Sequence, residues 1–287
     1  MSNYSLWQTG RGQFAKLTLT NSSGASADIY RYGAHLTSWK TASGKEWMFL
    51  SEQAQFAAGK AIRGGVPVIF PQFSGFGAGP RHGFARNIEW QLDTEPGEQN
   101  GESRCKFILE SSDNSLAIWP HRFRAEFIPS LAEQQLTMTL VIQNTDSAPF
   151  TFTAALHTYF AVSDIHKVAL LGLSGLSYWD NNGSDFKQDR FVQNDDQLTF
   201  PDAIDRVYFS CQKPLQLSDS NERLSIQADG FTEVVVWNPG AEATKTLDDM
   251  ANEEYQKMLC VEAALIDKPV TLAPGEVWQG SQILKAV

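Results

Sequence analysis

The stretch LTMTLVIQN, residues 136–144, decides the fold class. Leu136, Met138, Leu140 and Ile142 alternate with Thr137, Thr139, Val141 and Gln143. A period of two puts one set on a core-facing side of a strand and the other on its outer side. The pattern recurs outward along the chain, as AKLTLTN at 15–21 and FTFTAA at 150–155, with similar segments at 106–110, 224–227, 233–237 and 277–284. Turn-forming clusters fall between them: SSG at 22–24, ASGK at 42–45, PGEQNG at 96–101, NNGSD at 181–185 and APGE at 273–276. Helical periodicity is confined to one or two turns at 251–258. Many short strands at regular spacing predict an all-β protein, a large β-sandwich with few short helices. The polar segment 93–104 reads as a hairpin connection, since strand patterns resume on both sides. The expectation is one domain over residues 1–287, its two ends meeting in neighbouring strands.

Composition excludes several functions. With 287 residues, 42% hydrophobic and 20% charged, the chain has apolar surface enough for a core. Lys and Arg number 23 against 33 Asp and Glu, a net charge of −10. That balance argues against nucleic acid and against an anionic membrane, while leaving room for a local basic pocket. Cys105, Cys211 and Cys260 are widely spaced and form no C-x-x-C. No basic-then-apolar leader opens the sequence and no apolar run could span a bilayer, so the expectation is a cytoplasmic protein. There is no Walker A pattern, no G-x-S-x-G elbow and no H-x-H or H-E-x-x-H pairing.

Chemistry concentrates in three places. The segment AIRGGVPVIFPQFSGFGAGPRHGFARNIEW, residues 61–90, holds Arg63, Arg81, Arg86 and His82, with eight glycines and prolines in its first twenty residues. No simple strand tolerates that content, so a loop pair shaping a pocket is expected. Arginine forks suit phosphate or carboxylate, and three in one glycine-rich segment outweigh the plain alternative of solvated or locally paired arginines. In AALHTYFAVSD, residues 154–164, His157 ends a strand pattern. It is either an acid near neutral pH or a core histidine bonded to backbone, and that segment alone slightly favours the latter. In MLCVEAAL, residues 258–265, Glu262 interrupts an apolar run. A carboxylate there is desolvated, which raises its pKa towards that of a useful general base. The alternative is a glutamate on an exposed edge strand; the apolar surroundings favour the functional reading. Asp205–Arg206, as an isolated dipeptide, is more often a surface ion pair than a site.

Taken in order, YGAHLTSWK (32–40), IRGGVPVIFPQF (62–73), RHGFARNIEW (81–90), WPHRF (119–123), ALHTYFAVSDI (155–165), DRVY (205–208), WNPG (237–240), DM (249–250) and CVEAA (260–264) span about 230 residues. The set resembles the aldose 1-epimerase superfamily, and most closely its hexose-6-phosphate 1-epimerase branch. That resemblance implies a galactose-mutarotase-like β-sandwich and interconversion of the α and β anomers of glucose 6-phosphate and related hexose phosphates. It implies Glu262 as the base at the C1 hydroxyl and His157 as the acid at the ring oxygen. His82 and Asp205 would hold the sugar, and Arg63 and Arg86 the phosphate, with Arg81 and Gln72 as further contacts. No metal or cofactor is implied, and the family expectation is a monomer whose partner is the small-molecule substrate. Two alternatives stay open: an epimerase of unphosphorylated aldoses, and a sugar-phosphate-binding protein without turnover on the same scaffold.

Overall fold

The computed structural model describes residues 6–182 and 189–287, so part of the turn expected at 181–185 lies outside the described residues. Among the described residues the strands form three antiparallel sheets. The first joins Gln8–Thr9, Ala15–Thr20, Ser26–Tyr30 and His35–Lys40. The largest, of nine strands, runs from Gln197–Thr199 through Val277–Ala286 and Gln135–Asn144 to Gln91–Gln99. The third, of eight strands, has Glu233–Asn238, Met258–Leu272 and Phe150–Leu156 at its centre.

Alternation dictates the layering. Along Gln135–Asn144 every second residue is buried, from Leu136 through Met138, Leu140 and Ile142, as the period-two pattern requires. These side chains share one core cluster with Leu156, Val236, Val261 and Ala263 of the eight-stranded sheet, so the two large sheets pack face to face. Phe152 meets Trp278 edge-on at 5.6 Å and Phe70 meets Phe123 at 5.1 Å. Buried polar contacts also cross the layer: Gln282 accepts from the Thr158 hydroxyl and donates to the Val261 carbonyl, and Asn144 donates to the Leu272 carbonyl.

The expected hairpin at 93–104 is a pair of long strands, Gln91–Gln99 and Glu102–Glu110, turning at Asn100 and Gly101. The chain ends do not meet in neighbouring strands. Gln8–Thr9 belongs to the four-stranded sheet and Val277–Ala286 lies inside the nine-stranded one. The physical reason is that Val277–Ala286 satisfies both its edges within its own sheet, against Gln135–Asn144 and Glu222–Asp229. The helical turn expected at 251–258 is a 3-10 segment, Glu254–Lys257. Two short α-helices, Asp113–Ile118 and Gly240–Thr244, were not legible; five or six residues carry too little periodicity to read.

Candidate active site

The site follows from the register of the eight-stranded sheet. Val261 and Ala263 point into the inter-sheet core, so Cys260, Glu262 and Ala264 face the other way. Cross-strand pairing sets Asp205 beside Trp237, Trp237 beside Cys260, and Cys260 beside Tyr159. Glu262 lies one step along, paired with Val235. Thr158 reaches Gln282 in the core, which leaves His157 and Tyr159 on the Glu262 side. Backbone alternation thus gathers His157, Tyr159, Asp205, Trp237 and Glu262 from four stretches distant in sequence.

The glycine-rich segment covers this face. Gly65 adopts φ +61°, and a Cβ there would lie 2.2 Å from the Leu36 carbonyl oxygen. At Gly83 (φ +69°) a Cβ would lie 2.0 Å from the Phe70 oxygen. Both positions therefore require glycine. His82, between them in the chain, is itself left-handed at φ +64°, a strained conformation of the kind that clusters at functional sites. Its Nδ1 accepts the Ser74 backbone N–H at 3.1 Å. That bond fixes the neutral tautomer, with Nε2–H left as a donor. Burial and the nearby Arg86, Arg81 and Arg63 push the His82 pKa down to about 2, so the ring stays neutral.

A cavity of about 320 Å³ results, lined among others by Arg63, Arg81, His82, Arg86, His157, Tyr159, Asp205, Trp237 and Glu262. A larger depression of about 560 Å³ surrounds Tyr178, Asp195 and Arg206, but it holds none of the acid, base or arginine candidates. At its centre the smaller cavity brings His157 Nε2 to 3.3 Å from Glu262 Oε1. Glu262 is 1% exposed, on an interior strand flanked by Glu233–Asn238 and Phe150–Leu156. It is not on an exposed edge. Burial, reinforced by Asp205, raises the Glu262 pKa well above the ordinary carboxyl range, against an opposing effect of Arg86. Burial, then His82, Arg86 and Arg63, lower that of His157. Each partner is thus pressed towards its neutral form, and the pair shares a single proton. Among the described residues Glu262 Oε2 and His157 Nδ1 are buried without a protein partner.

Seven of the eight residues proposed from sequence line this cavity. Gln72 does not. Its amide nitrogen donates to the Ser74 and Gly79 carbonyls and its oxygen accepts the Gly79 N–H, so it braces the 72–79 loop. Asp205 accepts from the Asn181 amide at 2.7 Å. Arg206 pairs with Asp180 rather than with its sequence neighbour. Three participants escaped the local reading. Tyr159 stacks on His157 at 4.9 Å and 11°, Trp237 stands edge-on to both rings, and Asp249 pairs with Arg63. Nothing local marks Asp249, since its partner is 186 residues away. The donor atoms of His157, Cys260 and Glu262 lie within 4.8 Å of one another, close enough to share a metal ion. The guanidinium groups on the same cavity oppose a cation there.

A shared-proton acid–base pair above an aromatic floor fits chemistry on a polyhydroxylated small molecule. The family model of aldose 1-epimerase matches residues 15–285. The chain belongs to that family. It is therefore a carbohydrate epimerase, an isomerase whose substrate is a sugar. A protein from Cenchrus ciliaris named "Putative glucose-6-phosphate 1-epimerase" is 38% identical over 281 residues, 95% of this chain and 84% of its own. An Escherichia coli K12 protein of the same name is 37% identical over 81% of this chain and 77% of its own. The crystal structure of a "putative mutarotase (YeaD)" from Salmonella typhimurium superposes with a TM-score of 0.89 at 27% identity. That match covers 100% of this epimerase and 95% of the other chain, and it places the β-sandwich among mutarotase folds.

Proposed function

We propose that this epimerase interconverts the α and β anomers of a hexose 6-phosphate, glucose 6-phosphate foremost, by general acid–base opening and closing of the ring. The observation that carries the reading is the convergence of His157, Glu262 and three arginines on one cavity. Glu262 takes the proton of the C1 hydroxyl while His157 gives one to the ring oxygen, and the C1–O5 bond opens to the aldehyde. Rotation about C1–C2 presents the other carbonyl face, and the reverse transfers close the ring.

The proton inventory supports this assignment. The pair begins a half-cycle as carboxylate and imidazolium and ends it as carboxylic acid and imidazole, holding one proton throughout. Burial disfavours the charged arrangement, and because the pair keeps its one proton while exchanging it with the sugar, the same two groups serve ring opening and ring closing. His82 Nε2–H is a fixed donor for a sugar oxygen, and Asp205 an acceptor for ring hydroxyls. Arg63 and Arg86 offer charge-assisted bonds to a phosphate dianion. Among relatives, the name glucose-6-phosphate 1-epimerase supports the phosphorylated substrate.

Saturation-transfer NMR of anomer exchange tests the reading, with glucose 6-phosphate, free glucose and free galactose compared at equal enzyme. Exchange accelerated for the phosphate ester alone is the expected result. Acceleration of the free sugars instead would move the substrate to unphosphorylated aldoses, and no acceleration by folded protein would leave a binding module.

A further inference from the structure

Arg63 is held in a way that Arg86 is not. Its Nε donates to Asp249 Oδ1 at 3.0 Å and its Nη1 donates to the Tyr159 hydroxyl at 3.0 Å. Among the described residues these are the bonds its guanidinium makes, so the Nη2 edge is left for the cavity that Arg63 lines. Among the same residues Arg86 has one such bond, from Nη2 to the Arg81 carbonyl at 3.2 Å, and its Nε is buried without a partner there.

The loop that carries Asp249 is itself anchored. Met250 is 1% exposed and packs with Phe49, Tyr159, Met258 and Cys260. Glu254 accepts the Ala251 N–H at 2.8 Å, the Ser51 hydroxyl at 2.6 Å and the Glu52 N–H at 2.8 Å. Ser51 in turn donates its N–H to the Arg63 carbonyl at 3.1 Å. Loop and arginine are therefore fixed to the same turn, and the Arg63–Asp249 pair is mostly buried, with side chains 22% and 14% exposed.

We propose that Asp249 is a positioning residue for phosphate selectivity. It aims Arg63, so that the guanidinium meets the phosphoryl group without first surrendering rotamer freedom. A flexible arginine loses that freedom on binding, and pre-organisation removes the loss. Tyr159 extends the arrangement: it bonds Arg63 and stacks on His157, so the phosphate-facing group and the acid share one support. The proposal rests on the phosphate reading above and adds the residue that makes one arginine selective.

The test is a double-mutant cycle of Arg63→Ala and Asp249→Ala, with Asp249→Asn as a conservative third variant. Anomer exchange of glucose 6-phosphate is followed over a range of concentrations by saturation-transfer NMR. Asp249→Ala is expected to raise the half-saturating concentration roughly 10-fold, equivalent to one mispositioned contact, with maximal exchange changed about 3-fold or less. Asp249→Asn keeps the Oδ1 acceptor and should fall between it and the wild type. In the Arg63→Ala background the Asp249 substitution should add nothing further. A merely structural Asp249 would instead lower maximal exchange and melting temperature together and add its effect to that of Arg63→Ala. Unchanged half-saturation in a folded Asp249→Ala, or in Asp249→Asn if the alanine variant does not fold, overturns the proposal while Arg63→Ala still raises it. If Arg63→Ala leaves half-saturation unchanged, the phosphate reading fails and the positioning role fails with it.

Discussion

Two strands of this epimerase, Gln135–Asn144 and Met258–Leu272, look alike on the page and differ in what they do. The first alternates buried and half-buried residues along its whole length. The second is buried on both faces for its first nine residues and mixes half-buried with exposed residues from Asp267 to Thr271 before Leu272 is buried again. One face of each meets the same inter-sheet core. The other face of Gln135–Asn144 carries threonines bonded across to neighbours, such as Thr139 to Ser281 at 2.8 Å. The other face of Met258–Leu272 packs Cys260 and Ala264 in small apolar clusters and presents Glu262, between them, to the cavity. The first strand supplies stability and the second supplies a place where a carboxyl is kept from water, so mutations in the two should separate activity from stability.

Glu262→Gln should show the larger effect. It keeps shape and loses the proton acceptor, so anomer exchange should fall about 10²–10⁴-fold, the range for a positioned general base. Stability should move the other way. Burial raises the folded-state pKa of Glu262 above its unfolded value of 4.5, so the stability it contributes is complete below that value. It is then lost as pH rises through the raised folded pKa. Glutamine carries no such loss, and at pH 8 the variant should melt no lower than the wild type. Melting far below it by calorimetry would mean that Glu262 is structural.

Leu140→Ala is the counterpart in the first strand. Leu140 is fully buried between Phe127 and Gly280, and truncation should destabilise by about 2–5 kcal/mol. Denaturant titration reads the loss. Exchange per folded molecule should stay within about 2-fold of wild type, since the side chain lies in the inter-sheet core and does not line the cavity, and distant sites act independently. A parallel fall in activity per folded molecule would break the contrast between the strands.

The same contrast explains what could be read in advance. Alternation at Leu136 to Ile142 is a local signal of the half-buried strand, and the sheets followed from many such signals. Glu262 was legible because a charged residue inside MLCVEAAL conflicts with its neighbours, and such conflicts mark functional sites. Asp249 was not. It sits in a polar loop where an aspartate is unremarkable, and its meaning comes from Arg63, brought to it by the fold. Gln72 shows the converse. A glutamine in a glycine-rich loop looks like a ligand contact, yet the loop's own unpaired amides claim it first. The proximity of Asp205 to the acid–base pair likewise depended on register across Trp237 and Cys260, which no local pattern contains.

The smallest expected effect lies in the pH profile, and it probes why the cavity face of Met258–Leu272 differs from an ordinary core face. Activity requires the His157–Glu262 pair to hold one proton, so exchange at low substrate should fall on the acid side, where a second proton binds, and on the alkaline side, where the first is lost. Asp205 raises the Glu262 pKa after the larger effect of burial, while Arg86 lowers those of Glu262 and His157. Removing the negative charge makes every protonation of the pair harder, so Asp205→Asn should move both limbs to lower pH. Removing the positive charge makes protonation easier, so Arg86→Ala should move both limbs to higher pH. The substrate's own phosphate also titrates, near pH 6, but comparison with wild type on one substrate cancels that contribution. The readout is the position of the limbs rather than the height of the curve, because both residues also line the cavity. Opposite displacement in the two variants is the signature of one buried pair sensing both charges. Displacement in the same direction would mean that the limbs report some group other than His157 and Glu262.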